Sequence, residues 1–521
     1  MTTMNKPLLY PIGEQDFANI RNDGMVYVDK TDLIYSLVKS GKYVFLSRPR
    51  RFGKSLLLST LKYYFQGRRD LFEGLAIDRL ETEWKQHPVL HLDMSQGKAI
   101  NLDYLNSMLD GVLRHYEKVY HITPQPSTSF GTRLRDLIET AYAATGMPVV
   151  VLLDEYDAPV LENLDKPEQM EQVRNIMRDF YSPLKGQAER LRFVMITGIT
   201  KFSQLSIFSE LNNLNNITLL PQYEALCGIT AEELATQMRP GVEAMAEREG
   251  VKADEMLDIL KEHYDGYHFS EDMTADIYNP LSLVKALGNQ KVYHYWFDSG
   301  TSTWLLRLLR GRDILVNELD GKEVDQDSFD RPTEQIEDPT AVLYQSGYLT
   351  IKDYDRETQT YTLGIPNKEV REGLSKAFVS HLAPRVQSRE WLRKAFFTWR
   401  RGGSIDDFMS ALHDFYASIP YDIANDNERH YQAILYAVMA SFGADVRVED
   451  RTSDGRADVV VLLPNEVYVM ELKHGATAQE AMEQLQRKDY AVKYRRGDRP
   501  VRLLAMNINR DTRTIDDWLC Q

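Results

Sequence analysis

The chain has 521 residues, too many for one ordinary domain, and 43% of them are hydrophobic, as in a globular protein with real cores. A formal net charge of −15 excludes a surface that binds nucleic acid everywhere, so any such contact must come from local basic patches. The two cysteines, Cys227 and Cys520, exclude a disulfide framework and match no metal-ligand spacing, and no apolar run approaches the ~18 residues of a membrane span.

Residues 1–13 lack a basic segment followed by an apolar run, so the expectation is a cytoplasmic protein without a leader. The first strand is Tyr43–Ser47. A basic, glycine-containing loop follows, and then a helical pattern over Ser55–Phe65. Continuous apolar runs at Pro148–Leu153 and Leu191–Ile196 read as two more buried strands. Strands separated by long helical stretches predict a three-layer α/β domain with a parallel sheet over residues 1–222. Residues 223–335 read as a helical lid broken by turns such as Tyr264-Asp265-Gly266-Tyr267. In 336–385 a helix, a hairpin (Tyr348–Tyr354 and Gln359–Gly364) and a second helix fit a winged-helix-like module, or equally a plain hairpin between helices. Residues 386–425 read as a helical connector.

The tail, 426–521, is an α/β domain of order α-β-β-β-α-β. Its helix Asn427–Phe442 carries an apolar stripe at Ile434, Leu435, Val438, Met439 and Phe442. Strands follow at Val446–Glu449, Arg456–Leu463 and Val467–Lys473, then a helix over Ala478–Tyr494 and a strand at Val501–Ile508. The turns carry Asp454-Gly455 and Pro464-Asn465.

Arg48-Pro49-Arg50-Arg51-Phe52-Gly53-Lys54-Ser55 sits between a strand and a helix, the context a Walker A phosphate loop requires. Gly53 lets the backbone approach phosphates, Lys54 reaches the β/γ oxygens, Ser55 holds Mg²⁺, and the helix N-terminus favours an anion. The ordinary first glycine is replaced by Arg48, which is strained if that position needs positive φ. About 100 residues on, Val149–Asp154 and Glu155 have Walker B form. Asp154 binds Mg²⁺ through water and Glu155 polarises the attacking water. Thr197, at the end of the third strand, is either a γ-phosphate sensor or a strand-end cap. The implied ligand is ATP with Mg²⁺.

In the tail, Asp458 lies on one strand and Glu471-Leu472-Lys473 ends the next. Alternation puts Glu471 and Lys473 on one face. Two carboxylates there suit a hard ion, Mg²⁺ or Mn²⁺, that polarises a phosphodiester, with Lys473 stabilising the charge that develops. Glu428, opening the preceding helix, points at the metal. Gln484 and Tyr490 orient the active strand or the substrate backbone. This tail holds 14 Lys/Arg against 16 Asp/Glu. Lys488, Lys493, Arg495, Arg496, Arg499 and Arg502, with Tyr490 and Tyr494, form a phosphate-tracking patch or a solvated helix end.

These motifs, together with Tyr27-Val28-Asp29-Lys30-Thr31, Leu153-Asp154-Glu155-Tyr156-Asp157, Thr197-Gly198-Ile199-Thr200-Lys201-Phe202, Tyr278-Asn279-Pro280, Gln345-Ser346-Gly347-Tyr348-Leu349 and Ile365-Pro366-Asn367, make the chain resemble the AAA-ATPase-like proteins with a C-terminal PD-(D/E)XK nuclease domain. The Arg48 loop is similar to that family's own version. The resemblance implies ATP binding and a nuclease fold and supplies no substrate.

Other residues carry less. Pro88 argues against a helical zinc pair of His87 and His91, while His263, His268, Trp296, Phe297 and Trp304 read as structural. Two functions compete: an ATP-regulated nuclease acting on DNA or RNA, and a nucleotide-dependent switch or scaffold whose nuclease-like domain binds without cutting. The complete set Asp458, Glu471 and Lys473 favours the first. A ring-forming motor needs an arginine from a neighbouring copy, and none is legible, so a homo-oligomer stays open.

Overall fold

Six consecutive residues, Val149–Asp154, form a strand with no exposed position, as befits a strand covered on both faces in a parallel sheet. It is β3 of a five-stranded sheet in the computed structural model. The described residues are 8–95, 101–125, 128–163, 166–200, 213–298, 315–325, 339–383, 389–420, 427–452, 455–488, 490–495 and 497–521. Lys201, Phe202, Trp304, Asp454 and Arg496 lie outside them. Two units are distinguished, Met1–Tyr295 with Gly321–Asn367, and Trp296–Asp320 with Lys368–Gln521.

In the first unit the sheet also contains β1 (Tyr43–Ser47), β2 (Val89–Asp93), β4 (Leu191–Gly198) and β5 (Asn215–Asn216), all parallel, in the order β2-β3-β4-β1-β5. β1, β3 and β4 coincide with the strands read from the sequence. β2 and β5 do not: β2 is an edge strand with alternating burial that begins right after Pro88, and β5 has two residues. Leu105, Leu109, Leu137, Ile138, Met177 and Phe180, from three helices, share one core with Val149, Val151 and Leu153. The helix Lys54–Phe65 packs against β2, β3 and β4. The result is a three-layer P-loop NTPase architecture.

The helices Ala231–Thr236, Arg239–Glu249, Ala253–Tyr264 and Pro280–Asn289 bury Leu234, Val242, Met245, Leu260, Leu283 and Leu287 in a separate core. Thr230 and Glu233 close the first of these helices with a capping box, satisfying two backbone donors at once. The short strands β6 (Ile229–Thr230) and β7 (Ile277–Tyr278) pair antiparallel. The hairpin read from the sequence is present as β9 (Thr350–Asp355) and β10 (Thr360–Gly364). β8 (Lys322–Asp325) joins it as an unexpected third strand beside β10.

The second unit is built round the helix Glu428–Ser441. Every residue from His430 to Ser441 is buried, more than the single stripe the sequence suggested. The cause is packing on two sides, against the sheet and against the helix Lys368–Leu382. The sheet runs β11 (Asp445–Thr452), β12 (Gly455–Leu462), β13 (Val467–His474), β14 (Val501–Ile508) and β15 (Ile515–Cys520) in chain order. Only β13 and β14 are parallel, joined by the crossover helix Ala478–Lys488. This mixed sheet fits a PD-(D/E)XK domain. The crossover helix is shorter than expected. Beyond Lys488 the described residues are turns, and Tyr490 enters the core with Ala457, Val460 and Met482.

Candidate nucleotide and metal sites

β1 is buried along its whole length and delivers the loop 48–53 to the helix Lys54–Phe65. The left-handed conformations fall at Arg51 (φ 69°) and Gly53 (φ 93°), so the strain that a residue in place of glycine would suffer does not arise at Arg48. Gly53 is needed for its φ, because a Cβ there would meet nothing within 4 Å. The Lys54 ammonium is buried. It donates to the carbonyls of Arg48 (3.1 Å) and Pro49 (3.2 Å) and lies 3.1 Å from a Glu155 carboxylate oxygen.

β3 places Asp154 beside this loop. Its Oδ1 accepts from the Thr197 hydroxyl at 2.7 Å and the Glu155 N–H at 3.1 Å, and the nearby Ser55 hydroxyl favours its charged form. Burial raises the Asp154 pKa against the lowering effect of those bonds. Glu155 is held at φ 50°, an uncommon conformation for a side-chain-bearing residue and one that clusters at functional sites. Lys54, Ser55, Asp154, Glu155 and Thr197 therefore meet at the carboxyl ends of adjacent parallel strands, where open α/β sheets bind ligands.

Asp157, two residues beyond Glu155, is fully buried. It accepts from the N–H groups of Ile199 (3.1 Å) and Thr200 (2.7 Å) and the Thr200 hydroxyl (2.5 Å). Tyr156 donates its hydroxyl to the Thr200 carbonyl at 3.0 Å. These contacts staple the ends of β3 and β4. Burial, with the Glu155 charge next, pushes Asp157 up to about 6. The motif around Asp157 was legible, but its donors lie more than 40 residues away in the chain.

In the second unit, Asp458 on β12 and Glu471 on β13 would face each other one step beyond the last backbone-paired couple, Val459 and Met470. An Asp458 carboxylate oxygen instead takes the Leu472 N–H at 2.8 Å. Glu471 has no exposed surface; its Oε1 accepts from Lys473 at 2.9 Å and from the Gln484 amide. Its Oε2 is buried with no hydrogen-bond partner. Burial, then the Asp458 charge, raises Glu471 to about 7, and the Glu428 charge adds to the same effect. An orphaned carboxyl oxygen beside a second carboxylate is what a divalent cation would satisfy.

Asp458, Glu471, Lys473 and Gln484 are thus brought together. Glu428 acts on them through its charge. Among the described residues no group of three or more His, Cys, Asp or Glu side chains has metal-holding geometry. Of the basic patch, Arg499 donates to the Leu463 carbonyl at 2.8 Å and Arg502 pairs with Glu466 at 3.2 Å. His87 and His91 flank or lie on β2, where His87 meets the Pro148 carbonyl at 2.8 Å. No helix among the described residues is long and apolar enough to cross a membrane.

A family profile described as a predicted AAA-ATPase matches residues 11–208, and one described as the PD-(D/E)XK nuclease superfamily matches residues 426–518. A protein of Azotobacter chroococcum mcd 1, described as an uncharacterized protein in the vnfD 5′ region, is 35% identical over 517 residues, covering 97% of each chain. Among solved structures, the Aeropyrum pernix Orc1 protein in complex with DNA covers 67% of this chain and 93% of its own, at 13% identity and a TM-score of 0.27, too low to support any argument. Together the two profiles support a nucleotide-binding protein with a nuclease-like domain. The chain belongs to the family of AAA-ATPase-like proteins that carry a PD-(D/E)XK nuclease-superfamily domain at the C-terminal end.

Proposed function

We propose that the protein binds and hydrolyses ATP with Mg²⁺ in its first unit and cleaves a phosphodiester of DNA or RNA in its second, the ATP state regulating cleavage. In the first unit Lys54 holds the β/γ oxygens, Ser55 and Asp154 hold Mg²⁺, Thr197 contacts the γ-phosphate and Glu155 orients the attacking water. For Glu155 to do so it must exchange its ion pair with Lys54 for the water, and phosphate is the natural competitor for that lysine.

The observation that carries the nuclease reading is the buried, partnerless Oε2 of Glu471 beside Asp458. A divalent ion held by these two carboxylates would supply Lewis acidity toward the phosphodiester and a more acidic bound water. Glu428 would assist through its charge. Lys473 stabilises negative charge developing at the phosphate, and Gln484 holds the Glu471 carboxylate in orientation.

The same geometry gives the second reading some footing, because Oε1 of Glu471 is already engaged by Lys473 and Gln484. A switch or scaffold that grips nucleic acid without cutting needs no more than this. The test is cleavage of single- and double-stranded DNA and RNA with Mg²⁺ or Mn²⁺, with and without ATP. Metal-dependent cutting that changes with ATP supports the regulated nuclease. Binding without cutting under every condition hands the function to the scaffold reading.

A further inference from the structure

Arg48 occupies the place of a phosphate loop's first glycine, yet its side chain is turned away from the loop. The residue is 1% exposed. Nη1 donates to the carbonyls of Ser47 (3.0 Å) and Thr218 (2.7 Å), and Nη2 to that of Tyr223 (3.2 Å). The guanidinium carbon lies 4.2 Å from the centre of the Phe269 ring, within cation–π range. Burying a guanidinium is costly unless carbonyls, rings and charge compensate it. Apart from the Ser47 carbonyl, the compensating groups come from residues 170 and more positions away.

Phe52, at the other end of the loop, makes a matching connection. It is fully buried, edge-on to Tyr267 at 4.8 Å and to Phe269 at 5.3 Å, and its carbonyl accepts the Gly228 N–H at 3.2 Å. The segment it meets is itself tightly tied. The buried Glu224 carboxylate accepts from Phe269 N (2.9 Å), Ser270 Oγ (2.8 Å), Thr274 N (3.0 Å) and Thr274 Oγ1 (2.6 Å). Tyr267 donates its hydroxyl to the Gly347 carbonyl at 3.1 Å, and Asn367 donates its amide to the Asp265 carbonyl at 2.9 Å. A Cβ on Gly266 would come within 2.5 Å of the Pro366 carbonyl oxygen. Three motifs that the nucleotide site does not use, at 264–267, 345–349 and 365–367, therefore meet one another and, through Phe52 and Arg48, the phosphate loop.

We propose that Arg48 is a positioning residue that couples the phosphate loop to residues 218–274, so that this segment senses nucleotide occupancy. The proposal rests on reading Lys54 and its neighbours as an ATP site. The link is short: the Lys54 ammonium bonds the Arg48 carbonyl at 3.1 Å, while the Arg48 guanidinium grips Thr218, Tyr223 and Phe269. When phosphate draws Lys54 off that carbonyl, the residue that moves is the one anchored in the far segment.

The test turns on Arg48→Gly, which would restore an ordinary phosphate loop. Full-length protein is titrated with ATP–Mg²⁺ by calorimetry, and hydrogen exchange of residues 221–226 and 264–274 is compared with and without nucleotide. The expected result is ATP affinity weaker by about tenfold or more and loss of the ATP-induced protection in both segments. Arg48→Lys, which keeps the charge and loses the planar fork, should fall between. Phe269→Leu removes the ring under the guanidinium without touching the loop, and should reduce the protection even if Arg48→Gly fails to fold. A merely structural role would change protection equally in both nucleotide states. Arg48→Gly with wild-type affinity and protection, or Phe269→Leu with an unaltered ATP response, overturns the coupling alone. Wild-type protein that binds no ATP removes the nucleotide site and the coupling with it.

Discussion

At the end of β3, Asp154 accepts hydrogen bonds from Thr197 and the Glu155 N–H, and Lys54 already has Glu155 as its counter-ion. At Glu471 on β13, one oxygen is crowded by Lys473 and Gln484 while the other is buried without a donor. The first site is internally satisfied, so a ligand must replace contacts that exist. The second keeps one carboxyl oxygen without a donor, so a cation adds a contact that is missing. Binding at the first is therefore an exchange that can rearrange the loop, whereas binding at the second is a gain that fixes what is there. This contrast suits a switch in one unit and a reactive centre in the other.

The largest expected effect tests the second half of that contrast. Glu471→Gln keeps the shape and removes the charge that would hold the metal. Lewis-acid stabilisation amounts to several kcal/mol, and at 1.36 kcal/mol per tenfold its loss should slow metal-dependent cleavage by about 10³-fold or more. Single-turnover cleavage measures it. A variant that cuts as fast as wild type places the metal elsewhere. Next comes Glu155→Gln, which should bind ATP and slow its turnover by about 10²–10⁴-fold, the usual contribution of a positioned base. Phosphate release under saturating ATP–Mg²⁺ is the measurement. Unchanged release would remove Glu155 from the reaction. Asp157 is a poor substitute, since its carboxylate is buried and already accepts from Ile199 and Thr200.

A smaller effect is expected of Gln484→Ala if, as proposed, its amide only holds the Glu471 carboxylate in orientation. Loss of such an outer partner typically costs 10–100-fold, so cleavage should fall by roughly that factor and recover partly at higher Mn²⁺. A loss as large as that of Glu471→Gln, with no recovery, would make Gln484 a direct participant instead.

Much of this was legible in the sequence because the carrying residues are local. Lys54 and Ser55 follow a strand and open a helix. Asp154 and Glu155 end an apolar run, and Glu471 and Lys473 share a strand face two residues apart. What escaped is what long-range contacts decide. β2 is half-exposed and hidden behind Pro88. β8 and β15 are edge strands rich in charge, with Glu323 and Asp325 in one and Asp516 and Asp517 in the other, so neither shows a hydrophobic alternation. The helix Glu428–Ser441 has an apolar stripe, but its polar residues Gln432 and His430 are buried as well, since it is packed on two sides. The replacement of glycine by Arg48 was visible at once. Its meaning lay in Thr218, Tyr223 and Phe269, which no local pattern connects to it.

The finest test of the contrast is the pH dependence of the metal-free second unit. Glu471 is raised from 4.5 to about 7, first by burial and then by the Asp458 charge. Between those values the folded protein retains a proton that the unfolded chain has released. The unfolded state then binds fewer protons, so stability falls as pH rises through this window and levels off above about pH 7. In EDTA the unit should melt at a higher temperature near pH 5 than near pH 7.5, with each kcal/mol worth on the order of 2–4 °C for a unit of roughly this size. Other groups titrate over the same range, so the informative quantity is wild type minus Glu471→Gln, in which the variant has no proton to lose at this position. Mg²⁺ or Mn²⁺ should act in the opposite sense, stabilising wild type increasingly as pH rises through 7, because the ion takes the place of the proton. A difference curve that is flat in EDTA, or metal stabilisation that survives in Glu471→Gln, would show that the orphaned oxygen is not where the cation binds.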